Sequence, residues 1–227
     1  MFFKHRMGPT GFERVCMELR KIGFSKSTYS EIIFSVRLKE RVNAAPMGVL
    51  LHDEEKVCLK IYKGGKTYDM ILNGAEDCVL NITRDPVLFY KAVFEKDKIA
   101  YHPAKHVSSP RISGCNAYVE CSITNVTLHE KYIEAVLKPL LIDVADASVK
   151  TYNRAGPAII EALICYTKLP YVKDTQEEKV EALTKKMLIF RDIVYHSTKN
   201  SMLRRIASKM LEEPSAASKQ KPVKHPT

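Results

Sequence analysis

The sequence carries none of the short signatures that name a catalytic chemistry on sight. It has no Gly-x-Ser-x-Gly nucleophile elbow, no His-Glu-x-x-His zinc motif, no Walker phosphate loop and no Gly-x-Gly-x-x-Gly dinucleotide turn. Its six cysteines, at 16, 58, 78, 115, 121 and 165, form no Cys-x-x-Cys pair. That removes zinc-finger and thioredoxin-type chemistry and leaves buried or idle thiols of a reducing compartment. No stretch approaches the roughly 18 consecutive apolar residues of a membrane span. The opening MFFKHRMGPTGFERV lacks the apolar run of a secretion signal. The expectation is a soluble, cytoplasmic protein.

Other chemistries are also thinly supported. His102 and His106 are four apart, but Pro103 disfavours helix at His102, so loop histidines are expected and no metal site. Cys115 and Cys121 read as buried hydrophobes, because no basic group is placed to lower a thiol pKa. Glu120 and Glu161 have no acid partner in the sequence, so two-carboxylate hydrolysis lacks a basis.

The chain has 227 residues, enough for one good domain and a smaller one. Its net charge of +10 invites a nucleic-acid reading. Residues 151–227 hold 14 Lys/Arg against 8 Asp/Glu, and residues 1–150 hold 22 against 18, so the excess is spread. With no aromatic-interleaved basic stripe, nucleic acid is not the expected main partner; affinity for anions such as phosphates is the more economical reading.

Hydropathy patterning divides the chain. Residues 11–22 form a short amphipathic helix with Phe12, Val15, Cys16, Leu19 and Ile22 on one side. From Tyr29, the runs YSEIIFSVRL, MGVLLH, KVCLKIY, CVLNIT and AYVECSIT read as strands. NAAPMG, residues 43–48, sits among them as a turn or as a flat place against a ligand. TYDMILNG is a brief helix with Thr67 as N-cap and Gly74 as its stop. Asp85-Pro86 opens another helix. Pro103, Pro110 and Pro139 punctuate the chain beyond that helix, and the connection at Asn125-Val126 is left open. Beyond about residue 142 the pattern is helical. Ile159, Ile160, Leu163 and Ile164 recur at helical spacing. Thr175 and Glu178 form a capping box, and Val180, Leu183, Met187, Phe190 and Val194 form a heptad-like seam. SMLRRIASKML continues that helix or makes a third, and a disordered polar tail starts at Pro214.

The strongest functional signal is for an anion. Lys60, Lys63, Lys66 and Thr67 flank a Gly-Gly turn that leads into a helix, where free N–H groups, lysine charge and a hydroxyl suit a phosphate. A solvated turn before a capped helix would show the same residues. NAAPMG lies one strand earlier, where a strand could offer its backbone to a planar ring.

RVNAAPMGV, KIYKGGKTYDMILNG and VLNITRDPVLF, in that order, resemble the FMN-binding split-barrel superfamily of flavin reductases and pyridoxamine-phosphate-oxidase-like proteins. They are most similar to a mainly archaeal flavoprotein family, domain of unknown function 447, whose helical signature NRAGPAIIEALICYTKL also matches. The resemblance spans roughly Tyr29 to Leu169. It implies an α+β fold: a six-stranded-type split β-barrel with short helices plus a C-terminal helical segment. The division expected is a helical extension over 1–28, the barrel over 29–142, a helical subdomain over 143–213 and a tail over 214–227.

It further implies an FMN-binding homodimer, with flavin near the subunit interface and NAD(P)H or another electron donor. Asn43, Ala44 and Ala45 would face the isoalloxazine, and Lys63 and Thr67 the phosphate. Lys60, Tyr62, Lys66 and Asn81 would contribute further. Asn153 and Arg154 would close the site from the other side or the partner chain, or else form a helix cap with a surface arginine. Many flavin reductases carry Ser or Thr where this chain has Met47-Gly48. The function implied is an FMN-dependent oxidoreductase of unknown substrate; the alternatives are a flavin carrier without turnover and a small basic nucleic-acid-binding barrel.

Overall fold

A computed structural model describes residues 18–53, 55–145, 150–172 and 177–212. The chain divides between Tyr152 and Asn153 into two units. In the first, eight strands run β1 (Ser30–Leu38), β2 (Arg41–Leu51), β3 (Val57–Tyr62), β4 (Asp77–Ile82), β5 (Tyr101–His102), β6 (Arg111–Ile112), β7 (Ala117–Leu128) and β8 (Tyr132–Val144). Six of them close an antiparallel barrel in the order β1-β2-β3-β8-β7-β4, while β5 and β6 pair separately. The expected six-stranded α+β barrel is what forms.

Alternation decides which side of each strand is inside. On β3, Val57, Leu59 and Ile61 are buried while Lys60 and Tyr62 are exposed. The inner set joins Ile32, Phe34, Val36, Val49, Leu80, Val119, Ile133 and Leu137 in one core. Burying each such side chain contributes about 1.5–3 kcal/mol. Helix α1 (Lys66–Leu72) adds Tyr68, Met70 and Ile71 to that core. A second layer lies outside the barrel wall, where Ile33, Ala44, Val79 and Tyr118 meet Ala92, Ile99, Ile112 and Cys115. Ala92 belongs to helix α2 (Pro86–Phe94), which starts as expected: Asp85 Oδ1 accepts the Val87 N–H at 2.8 Å and Pro86 takes the first helical position.

Several expectations change. NAAPMG is no turn; it lies within the eleven-residue strand β2, and the chain reverses instead at Lys39-Glu40, where Lys39 has φ 53°. Thr67 is not the N-cap of α1: Gly65 holds that position with no side-chain cap, and Thr67 is the second helical residue. Asn125 and Val126 continue β7, and the reversal falls after Leu128. Pro139 is inside β8, beside a register shift opposite Glu120 and Cys121, which is where a ladder tolerates a missing N–H. Residues 18–21 are helical, while the rest of the 11–22 helix lies outside the described residues, as do Thr175 of the capping box and the tail.

The segment over the barrel wall is fastened by charge. Glu120, fully buried, accepts from Arg111 Nε at 2.7 Å and from the backbone N–H groups of Lys105 at 2.9 Å and His106 at 2.7 Å. Arg111 also donates to Asp143 at 2.6 Å, and its guanidinium lies 4.7 Å over the Tyr118 ring. Glu120 is therefore a structural anchor. Asp77 receives the N–H groups of Ser108 at 2.8 Å and Ser109 at 2.9 Å. Asn81 is equally occupied: its Nδ2 donates to Ile33 O and Ser35 Oγ, both at 2.9 Å, and its Oδ1 accepts the Ile112 N–H at 2.7 Å.

The second unit holds α3 (Ala155–Val172), α4 (Glu177–Ser197) and α5 (Ser201–Glu212). Of the expected apolar set on α3, Ile159 is buried whereas Ile160, Leu163 and Ile164 are exposed; small residues, Ala158 and Ala162, and Cys165 face the shared core instead. The α4 seam holds, with Met187 and Val194 buried and Val180, Leu183 and Phe190 packed against them.

Two measurements test this packing. Arg111→Leu takes from the buried Glu120 its permanent cation, leaving two backbone N–H groups and the His106 ring 3.7 Å away, and should cost about 3–5 kcal/mol in urea unfolding. Burial works to raise the Asp77 carboxyl, but the hydrogen bonds from Ser109 and Ser108 outweigh it and hold the group below its ordinary value. A depressed carboxyl stabilises the fold fully above its unfolded pKa of about 3.9 and ceases to do so as pH falls through the folded value. The difference in urea midpoint between wild type and Asp77→Asn should therefore be largest near neutrality and shrink on acidification below about pH 4.

Candidate functional site

β2 is paired unequally on its two sides. It meets β1 from Arg41 to Val49, but β3 only from Val49 to Leu51. The β2–β3 ladder stops at Val49–Leu59. The next positions in register, Gly48 with Lys60, Met47 with Ile61 and Pro46 with Tyr62, do not pair. β3 itself continues to Tyr62 against Tyr132 of β8. Among the described residues, no backbone bond takes up the β3-facing side of Val42–Gly48. The barrel is thus split between these strands, and alternate backbone groups of residues 42–48 present an open edge. Pro46 can occupy a strand here because an edge needs no donor at that point.

Side chains along this edge are small or half-buried. Ala44 is fully buried in the outer layer, so only its backbone is available, while Ala45 is half-buried. Gly48 leaves room for Tyr29: a Cβ there would stand 3.2 Å from Cδ1 of that ring, a tight contact that the ring would have to yield to. Burial pushes the Tyr29 phenol up, against the opposing charge of Lys60.

A polar chain crosses the base of the split. Asn43, 4% exposed on β2, donates from Nδ2 to Thr67 Oγ1 of α1 at 2.8 Å. Its Oδ1 accepts from Lys96 Nζ, also at 2.8 Å. Lys96 sits in a 3-10 turn, Lys96–Lys98, just after α2. Burial, and then the charge of Lys66, lower the Lys96 pKa. Neither lysine has a carboxylate partner among the described residues, whereas Lys98 pairs with Glu95 at 3.0 Å. Two cations held together without an acid beside a buried hydroxyl form a site that favours an anion.

The structure therefore gathers Asn43, Ala44, Ala45, Lys66 and Thr67 at one opening. Lys60 and Tyr62 form its other lip by backbone, but their side chains turn to Tyr132: Lys60 Nζ lies 4.8 Å over that ring, and the Tyr62 ring is 5.8 Å from it. Lys63 is exposed, and its N–H donates to Lys131 O at 3.1 Å. Asn81 is committed to the wall. Asn153 belongs to the second unit, where its Oδ1 accepts the Gly156 N–H at 3.2 Å in a cap on α3, and Arg154 follows it. Lys96 has no signal in the sequence, because it is 53 positions from Asn43 in a lysine-rich turn, EKDK, that carries no motif.

Residues 30–146 match the family described as Protein of unknown function (DUF447) N-terminal domain. The chain belongs to the DUF447 family. An FMN-bound DUF447 protein from Methanosarcina mazei shares its fold, with 23% identity and a TM-score of 0.50, over 86% of this chain and 99% of that one. An FMN-binding protein from Thermus thermophilus is similar at 17% identity and TM-score 0.45, over 64% and 81% of the two chains. A flavoredoxin from Methanosarcina acetivorans is similar at 12% identity and TM-score 0.45, over 51% and 68%. Likenesses at these identities are likenesses of fold.

In the ligand-free DUF447 chain, Lys66 and Lys96 repel. Lys66→Gln should raise thermal stability in low-salt buffer by up to about 0.5 kcal/mol, with the gain shrinking as salt is added.

Proposed function

We propose that this DUF447 protein binds FMN non-covalently in the split between β2 and β3 and serves as an oxidoreductase. The observation that carries the reading is the unpaired edge of Val42–Gly48 standing beside two lysines that lack an acid. A planar heteroaromatic ring with donors and acceptors along its rim fits a bare strand edge flanked by Ala45 and Gly48. A phosphate fits Lys66, Thr67 and Lys96, with Lys63 on the adjoining exposed turn. The M. mazei relative was solved with FMN, which is consistent with the same cofactor here.

When bound, FMN supplies the electron or hydride transfer. The chain's own residues bind and orient. The unpaired backbone groups of Ala44, within the open edge, position the ring, the short side chains permit its approach, and the lysines offset the phosphate charge. No acid or base is required of the wall. NAD(P)H or another reductant would supply electrons. The protein would act in the cytoplasm as a homodimer, with the second copy near the flavin; the exposed Tyr62 and Leu128, each 67% exposed, support a partnered surface beside the split.

Purified protein should carry a yellow chromophore or, if stripped, quench the fluorescence of added FMN and gain melting temperature. Ala45→Leu should weaken FMN binding about tenfold or more while the fold survives. Absence of both chromophore and FMN response would overturn the reading. Anaerobic bleaching by NAD(P)H separates a reductase from a carrier, and light scattering reads the dimer.

A further inference from the structure

We propose that Lys96 fixes the donor polarity of the pocket and so makes it select a phosphate-bearing ligand over its neutral counterpart, an inference that rests on the FMN reading. An ammonium has only protons to give. The Asn43 atom 2.8 Å from Lys96 Nζ must therefore be its oxygen, and the amide nitrogen is turned to Thr67. That nitrogen also has only protons to give, so Thr67 Oγ1 accepts. The Thr67 proton must then go elsewhere, and none of the described residues accepts it. Thr67 is 3% exposed, so the hydroxyl is a buried donor left without an acceptor among the described residues.

Three elements cooperate in this: the turn after α2 supplies Lys96, β2 supplies Asn43 and α1 supplies Thr67. A phosphate oxygen, which only accepts, completes the chain of donors. Without the ammonium, the Asn43 amide can turn over, Thr67 can donate to it, and the pocket would present a lone pair instead of a proton. Lys66 is the other charged group facing Lys96, and its like charge reinforces the demand for an anion. Lys96 is in this sense a positioning residue, acting through Asn43 and Thr67.

The test is a double-mutant cycle read by binding. FMN and riboflavin are titrated against wild type, Lys96→Met, Lys96→Arg, Thr67→Val and the Lys96→Met/Thr67→Val double variant, each checked for a native melt. Lys96→Met should lose about tenfold or more in FMN affinity with riboflavin little changed. Lys96→Arg should retain the preference, and the double variant should lose no more than the worse single one. Additive losses would mean that Lys96 acts by charge alone, and an equal loss of both flavins would mean a structural role; either overturns the proposal. Inorganic phosphate, read by thermal shift, is the second probe. If wild type ignores both flavins yet phosphate stabilises it and not Lys96→Met, the FMN reading fails and the polarity stands. If neither flavin nor phosphate has an effect, both fail.

Discussion

The unequal pairing of β2 is the constraint on which the rest depends. A closed barrel satisfies every backbone group between neighbours, and this one leaves a length of one strand unpaired. The strand cannot drift, because nine residues are held by β1 and three by β3. It cannot be sealed either, because β3 parts from it after Leu59 while its other edge stays paired with β8 as far as Tyr62. The result is a short length of bare backbone on a rigid frame, which is where a binding site is most accurately held.

The surrounding layers hold that opening in shape from both sides. Inside, the apolar core fixes β1, β2 and β3. Outside, Ala44 and Ile33 pack under Ala92 and Ile112, and the Arg111–Glu120–Asp143 network ties the covering segment to β7 and β8. This is why the turn that carries Lys96 can reach Asn43 from so far along the chain. The redox chemistry proposed would come from a cofactor, so the chain's task is geometric: hold an edge open, place charges, keep donors pointed.

Much of this was legible in the residues. Alternation of Val57, Leu59 and Ile61 gave β3, Asp85-Pro86 gave the start of α2, and the order of the motifs gave the barrel and the family. The parts that were not legible depended on the far side of a contact. Thr67 looks like an N-cap from local spacing, but Gly65 caps the helix and the threonine is spent on Asn43 across 24 residues. Pro46 and Pro139 look like breaks, because the sequence does not say which strand edges go unpaired. Asn81 sits in a suggestive motif yet is used up by Ile33, Ser35 and Ile112. Lys96 has no motif at all; only folding brings it beside Lys66.

Pro46 has a further consequence. An open strand edge is a template on which another polypeptide can lay itself down, and barrels ordinarily escape that hazard by having none. Under the proposed flavin reading the edge has to remain open for its ligand, so the hazard persists. With no N–H of its own at mid-edge and glycine two residues on, β2 offers an incoming chain an interrupted row of bonds. A small flat molecule needs only part of that row, whereas a foreign strand needs all of it. The proline thus works against strand-on-strand addition at this edge and leaves other modes of association untouched.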